Sequence, residues 1–254
     1  MSLDFIRVHG RETTVTKQEF SPAKINLYLR IVGKRPDGYH ELETVMVPLD
    51  FGDTMTFEPR AAGVELVCDD PRLPTDDTNL VVRAAKLVGR RGAKITLQKR
   101  TPLAAGLGGG SSNAATTLLA LGRDESPARL NELAAKLGSD INFFLAGGAA
   151  LCRGRGELVE PVPCKLSASV LLVNPGFGIS TKWAYESWAK AAQRLTVTPP
   201  EVSLLLHALA EDDLDGVCRS IYNSLEAPSV GKFPVLELLK EAMRAGGAAG
   251  ALMS

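Results

Sequence analysis

The run Pro102-Leu103-Ala104-Ala105-Gly106-Leu107-Gly108-Gly109-Gly110-Ser111-Ser112-Asn113-Ala114 places four glycines within residues 106–110 and follows them with two serines. Glycine lets backbone N–H groups approach a ligand closely, and a helix starting there points its unpaired N–H groups the same way. The combination is an anion site suited to the phosphates of a nucleotide. Ser111 and Ser112 add hydroxyls able to bond phosphate or stand beside magnesium. A plain serine-capped helix after a flexible loop would need no ligand, but it would not need so dense a glycine run. Spacing excludes two other nucleotide motifs. A dinucleotide fingerprint requires glycine where Ser111 stands, and the Gly-Lys-Ser/Thr of a P-loop is absent.

Two further segments carry groups able to do chemistry. In Pro22-Ala23-Lys24-Ile25-Asn26-Leu27, Lys24 and Asn26 share one face of a strand, with Ala23, Ile25 and Leu27 on the other. Read alone, this is half-buried strand alternation. In Leu137-Gly138-Ser139-Asp140-Ile141-Asn142-Phe143-Phe144, Asp140 follows a helix-stopping glycine and precedes an apolar run, as a helix N-cap does. Capping and catalysis are both open to it. Tyr39 and His40, at the exit of a polar turn over 33–38, read by themselves as packing residues.

These groups need a scaffold. Residues 18–32 suggest strand structure interrupted near Ser21-Pro22, with further strands over 43–49, 54–58, 64–68 and 94–98. Thr78 can cap a helix carrying Leu80, Val81, Ala84, Ala85 and Val88. A second helix runs over 111–121. A third opens on Ser126-Pro127, carries Leu130, Leu133, Ala134 and Leu137 at helical spacing, and stops at Gly138. An apolar run over 149–152 precedes the turn 153–156, and 170–173 reads as a buried strand. From Thr181 onward the pattern is mostly helical, near 202–210, 214–220 and 233–245. Strands and helices in irregular order predict an α+β fold rather than a doubly wound sheet, with a domain boundary near 155–165. Residues 1 to about 14 read as an extension before the fold.

A chain of 254 residues suffices for one large domain or two moderate ones. Its 29 Lys and Arg balance 29 Asp and Glu, so net charge argues for neither a nucleic acid nor a membrane partner. Cys68, Cys152, Cys164 and Cys218 are scattered, with no C-x-x-C pair, and read as free thiols in a reducing compartment. With no continuous apolar leader or spanning segment, the expected location is the cytoplasm.

Taken together, Pro22-Ala23-Lys24-Ile25-Asn26-Leu27, Arg35-Pro36-Asp37-Gly38-Tyr39-His40-Glu41-Leu42, Asn79-Leu80-Val81-Val82-Arg83-Ala84-Ala85, the glycine loop, residues 137–145 and Gly154-Arg155-Gly156-Glu157 resemble the GHMP kinase superfamily. The resemblance runs from residue 20 to near the end. It implies a two-domain fold: a ribosomal protein S5 domain 2-like ATP-binding domain over 15–160, an α+β domain over 161–254, and an active site in the cleft between. It also implies ATP with magnesium and phosphorylation of an alcohol. Lys24 and Asp140 match the catalytic pair, Asp140 taking the hydroxyl proton while Lys24 orients it and stabilises the nascent alkoxide. Asn79 and Lys99 match the adenine pocket, and Pro102 through Ser112 match the phosphate loop.

The Asp-Gly-Tyr-His stretch is similar to the branch whose acceptor carries a cytidine diphosphate group. There Tyr39 would stack, His40 would meet the base edge and Asn26 would contact the substrate, with Thr181 and Tyr185 as a further contact and a second stacking ring. No acidic metal ligand is nominated, and a monomer or weak homodimer is expected. A mevalonate- or homoserine-type kinase, or a catalytically silent nucleotide-binding member, are the alternatives. The chain departs from the superfamily pattern at Ala104-Ala105, where glycines are usual, at Asn142 for proline and at Ser224 for aspartate. It stops at Leu252-Met253-Ser254, where a third glycine-rich motif should begin, and is expected to be incomplete at that end.

Overall fold

The structure, a computed structural model, describes residues 16–89, 92–191 and 198–254. The expected extension over residues 1 to about 14 lies outside the described residues. Two long strands form the spine, β1 (Lys17–Lys34) and β2 (His40–Arg60), paired antiparallel across a tight turn. In that turn the Arg35 N–H donates to the Tyr39 carbonyl at 2.8 Å and Gly38 takes a φ of +86°, which glycine adopts without strain. The strands expected over 43–49 and 54–58 are one continuous strand, because β1 pairs with both halves.

The other edge of β2 is shared between two partners. Residues 42–46 pair with β5 (Ala150–Gly154), and residues 54–60 pair with β4 (Gly92–Gln98). Outward from these, β3 (Val64–Cys68) runs parallel to β4 and β6 (Leu158–Pro161) antiparallel to β5, while β7 (Tyr222–Asn223) adds to β1. The pairing of β1 with β2 shifts register between Pro22 and Lys24 and again between Asn26 and Tyr28. Such irregularities re-aim side chains, and here they bracket Lys24 and Asn26.

Both faces of this sheet are covered. The neighbours Val45 and Met46 on β2, like Leu151 and Cys152 on β5, point to opposite sides. Met46 and Cys152 pack with Ala114, Leu118, Leu133 and Phe143, from α2 (Gly109–Leu121), α3 (Pro127–Ala135) and α4 (Ile141–Ala146). Val45 and Leu151 pack with Tyr28 and with Leu205, Leu209 and Val217, from α6 (Val202–Ala210) and α7 (Leu214–Ser220). The hairpin end of β1 and β2 packs on Ala184 of α5 (Thr181–Ala191) and on Leu225, which precedes α8 (Glu226–Lys232). The remaining helices are α1 (Leu80–Val88), against β3 and β4, and α9 (Val235–Ala245). Lys24 and Asn26 are therefore buried along with Ala23 and Ile25, not half-exposed as strand alternation alone suggests.

Some local expectations change. Asn79, not Thr78, caps α1: its Oδ1 accepts the Val81 N–H at 2.9 Å, while the Thr78 hydroxyl donates to Asp76. Ser126 caps α3 as expected, accepting from the Arg129 N–H. Helix α2 begins at Gly109, two residues before the expected start. Residues 170–173 form no strand; no neighbouring strand pairs with them among the described residues, and Leu171 is 67% exposed. An apolar run identifies a buried segment only where the fold supplies a partner. Helix α8 was not expected, since it contains Pro228 and Gly231. Among the described residues no helix is long and apolar enough to cross a membrane.

Just before Lys24, β1 and β2 approach closely at Pro22 and Gly52. A Cβ at Gly52 would stand 2.7 Å from the Pro22 Cα and 2.9 Å from the Ser21 carbonyl carbon, with the Ser21 oxygen nearer still. These are backbone atoms of a paired strand and cannot yield. Gly52→Ala is expected to destabilise the protein by about 1–3 kcal/mol, read as a drop of several degrees in a thermal melt.

Candidate active site

Helix α2 starts from a glycine in the left-handed region, Gly108 with φ +69°, and Gly106 shares that conformation at +75°. The N–H groups of Gly109, Gly110 and Ser111 precede the first intrahelical bond; Ser112 N–H is the first to find its carbonyl, that of Gly108 at 2.9 Å. The loop leading into this end lies against the sheet. Leu107 packs on Ala23 and Ile25, and its carbonyl accepts the Lys24 N–H at 3.0 Å. A Cβ at Gly108 would sit 2.9 Å from the Phe144 ring and 3.0 Å from the Lys24 Cγ, so only glycine lets the turn come this close. Ala104, one of the alanines in place of the usual glycines, is held at φ +54°, a strained conformation for a residue with a Cβ.

Lys24 is buried, and its ammonium donates to the Asn26 Oδ1. Asn26 in turn donates through Nδ2 to the Thr44 hydroxyl at 2.8 Å, and that hydroxyl donates to the Tyr28 carbonyl at 2.6 Å. Burial pulls the Lys24 pKa below the ordinary lysine value, and the negative charge of Asp140 opposes the shift. Asp140 stands at the N-cap position of α4, but its backbone is αR (φ −76°, ψ −9°) and its carboxylate makes no capping bond. The carboxylate is thus left for other work. Cys152 lies in the same environment, a fully buried thiol pushed up to about 12 by burial and then by the Asp140 charge, and so no nucleophile.

A second group of side chains adjoins this pair. His40 stacks on Tyr185 of α5, with ring centroids 5.0 Å apart and planes 17° from parallel, and meets Trp188 edge-on at 6.0 Å. Its Nε2 is buried without a hydrogen-bond partner among the described residues. Burial, and then the Lys34 charge, lower the His40 pKa, which favours a neutral imidazole. Burial pushes the Tyr185 phenol up to about 12, with the Asp140 charge adding to it, so Tyr185 feels Asp140 while touching His40. Tyr39 is exposed and lies under the Arg155 guanidinium, 5.0 Å from the ring centroid. Thr181 is exposed at the start of α5. Ser254 also reaches the site, its hydroxyl accepting the Asn26 N–H at 2.9 Å.

The sheet and loop bring Lys24, Asn26, Asp140 and the glycine run together, with His40 and Tyr185 beside them. Other candidate side chains are committed elsewhere. The Asn79 amide caps α1 and donates to the Pro74 carbonyl. The Lys99 amine is bound to Asp53, and the Ser112 hydroxyl faces inward on Ser21 at 2.8 Å. Sequence reasoning missed Trp188 and Thr44. For Trp188 a signal existed: both tryptophans of the chain lie in α5, three and two positions from Tyr185.

Residues 79–148 match the model of the GHMP kinases N terminal domain. The 4-diphosphocytidyl-2-C-methyl-D-erythritol kinase of Synechococcus sp. (strain JA-2-3B'a(2-13)) is 39% identical over 248 residues, covering 91% of this chain and 80% of the relative. The enzyme of that name from Pelotomaculum thermopropionicum (strain DSM 13744 / JCM 10971 / SI) is 42% identical over 243 residues, covering 91% of this chain and 83% of its own length. A crystal structure of a 4-(cytidine 5'-diphospho)-2C-methyl-D-erythritol kinase superposes with a TM-score of 0.77 at 35% identity, over 94% of this chain and 86% of that one. With identities of this size over most of both lengths, and with the α+β architecture described above, the chain belongs to the GHMP kinases, in the 4-diphosphocytidyl-2-C-methyl-D-erythritol kinase family.

Proposed function

We propose that the protein transfers the γ-phosphate of ATP to the 2-hydroxyl of 4-diphosphocytidyl-2-C-methyl-D-erythritol, a step of isoprenoid precursor biosynthesis. The observation that carries this reading is the Asp140 carboxylate, which occupies a cap position without capping and acts electrostatically on the buried Lys24. The strand that holds Lys24 is hydrogen-bonded to the glycine loop, so acceptor chemistry and phosphate site share one frame.

Phosphoryl transfer asks little covalent work of a protein; positioning and charge stabilisation supply most of the rate. The glycine cradle, where a Cβ would strike Phe144 or Lys24, fits a triphosphate, and the first-turn N–H groups of α2 serve as its donors. Asp140 accepts the proton of the attacking hydroxyl, and the Lys24 ammonium stabilises the oxygen as charge develops on it. Magnesium, when bound with ATP, offsets phosphate charge. Among the described residues no group of three or more His, Cys, Asp or Glu could hold a metal, and the Ser111 hydroxyl in the first turn of α2 would stand beside the ion. Asn79 and Lys99, whose polar ends are engaged, would line the adenine pocket through their backbone and aliphatic parts. In this reading the ATP-binding domain spans 15–160 and the second domain 161–254, a division supported by the end of β6 at Pro161.

The acceptor's base belongs beside His40. Its unpartnered Nε2 offers a hydrogen bond to a base edge, and Tyr185 and Tyr39 offer faces for stacking. Asn26 and Thr181 would hold the sugar-alcohol end. Tyr185→Ala is expected to raise KM for the cytidine-linked substrate at least about fivefold, in line with about 1–3 kcal/mol for a base stacked on an aromatic ring, and to leave KM for ATP unaltered. The decisive assay is ADP release with magnesium and ATP on three alcohols: the cytidine-linked methylerythritol, mevalonate and homoserine. Turnover on the first alone is the expected result. Turnover on one of the others would keep phosphoryl transfer and discard the cytidine site, and ATP binding without turnover would indicate a silent member.

A further inference from the structure

Behind the glycine loop lies a buried polar network that the transfer step does not use. Its centre is Asp53, fully buried on β2. One carboxylate oxygen accepts the N–H groups of Arg100 and Thr101, both at 2.8 Å, immediately before the loop. The other accepts the Lys99 ammonium and the Asn113 Nδ2, the latter at 2.9 Å, immediately after it. Asn113 Nδ2 also donates to the Ser21 hydroxyl at 2.9 Å, and Ser21 shares a hydrogen bond with Ser112. A single carboxylate therefore clamps both ends of residues 102–112. The ends also touch: a Cβ at Gly109 would stand 2.9 Å from the Thr101 Cγ2 and 3.1 Å from the Lys99 amine.

We propose that Asp53 is a positioning residue for ATP, holding the entrance of the loop in fixed register with the first turn of α2 so that its N–H groups converge on the phosphates. This rests on the reading of the loop as the phosphate site. All four partners of Asp53 are donors, so only a group that accepts on both sides satisfies them. Burial alone would raise its pKa, yet the bonds from Lys99, Thr101, Arg100 and Asn113 together hold it below the ordinary aspartate value. Removing one partner of a buried ion pair strands the other charge, so a single substitution at 53 confounds positioning with folding.

The test is made in a Lys99→Met background, where position 53 is changed to Asn or to Leu. Asn keeps an acceptor for the Arg100 and Thr101 N–H groups and can turn its amide N–H toward a flipped Asn113; Leu keeps none. Any contribution of Lys99 itself cancels between the two. Affinity for a non-hydrolysable ATP analogue with magnesium is expected to be at least tenfold weaker in the Leu variant. KM for the alcohol and kcat at saturating ATP should agree within threefold. Equal ATP affinities, whatever the difference in melting temperature, would make Asp53 a purely structural residue, and so would parallel losses toward ATP and alcohol. Should the Leu variant not fold, Asp53→Ser in the same Lys99→Met background replaces it. Its hydroxyl is too short to reach the Arg100 and Thr101 N–H groups, and ATP affinity at least tenfold below that of the Asn/Met pair is expected, equality again being the overturning result. Gly108→Ala separates the two readings. Unchanged ATP affinity in that variant would remove the phosphate loop and this proposal together; weakened affinity there, with equal values at position 53, would remove only the role of Asp53.

Discussion

Asp140→Asn is expected to fold as the wild type does and to lose about three orders of magnitude in kcat, roughly 4 kcal/mol of transition-state stabilisation. The fold should be indifferent because the carboxylate makes no capping bond for α4, so the isosteric amide removes no helix contact. The chemistry should suffer because an amide cannot accept the proton of the attacking hydroxyl. A second effect follows from the charge. Asp140 is the larger of the two influences that raise the Lys24 pKa against burial. Its removal lets that pKa fall further, and any residual activity should weaken at lower pH on the alkaline side than in wild type. Single-turnover phosphoryl transfer across pH checks both. A kcat within tenfold of wild type would mean that Asp140 only positions the acceptor, as a loose transition state permits.

Lys24→Met should lower kcat/KM by about two to three orders of magnitude while leaving the melting temperature no lower than wild type. The methionine keeps the aliphatic stem of the lysine and removes an ammonium whose desolvation the fold must tolerate, which offsets the hydrogen bond lost to Asn26. The sign of the pH effects follows from the lowered pKa. The charged form is the active one, so wild-type kcat/KM should decline on the alkaline side starting below the ordinary lysine value of 10.5. In the same window the unfolded chain binds this proton more tightly than the native state does. Wild-type stability should therefore gain a contribution as pH rises from the lowered pKa toward 10.5, and the Met variant should lack that slope. If the alkaline limb persisted in Lys24→Met, another group would own it.

What could be read from the chain was what short-range chemistry determines. The glycine run, the Ser126-Pro127 helix start, and α6, α7 and α9 follow from turn residues and helical periodicity acting over a few positions. Asp140 shows the limit: cap and catalytic carboxylate look alike in sequence, and only the αR backbone with its absent capping bond sets the cap reading aside. Lys24 and Asn26 looked half-exposed because one strand cannot announce that helices cover both of its faces. Residues 170–173 failed for the converse reason, since apolar character does not reveal whether a pairing strand is there. Asp53 was invisible for a third reason. Its partners lie 46 to 60 residues away in the chain, and the only local hint was an acidic residue set inside a strand beside a glycine.

Loops that bind ligands are usually drawn from the least stable parts of a protein, where they open without disturbing the rest. Here the Leu107 carbonyl is bonded to the Lys24 N–H in the central strand, and Ser112 is joined to Ser21 of the same strand. The loop therefore has little freedom to open by itself and belongs to the same cooperative unit as the core sheet. Inherited changes that merely loosen the sheet, far from any ligand, would then surface first as a weaker grip on nucleotide, at cellular ATP levels, before they surface as lost protein.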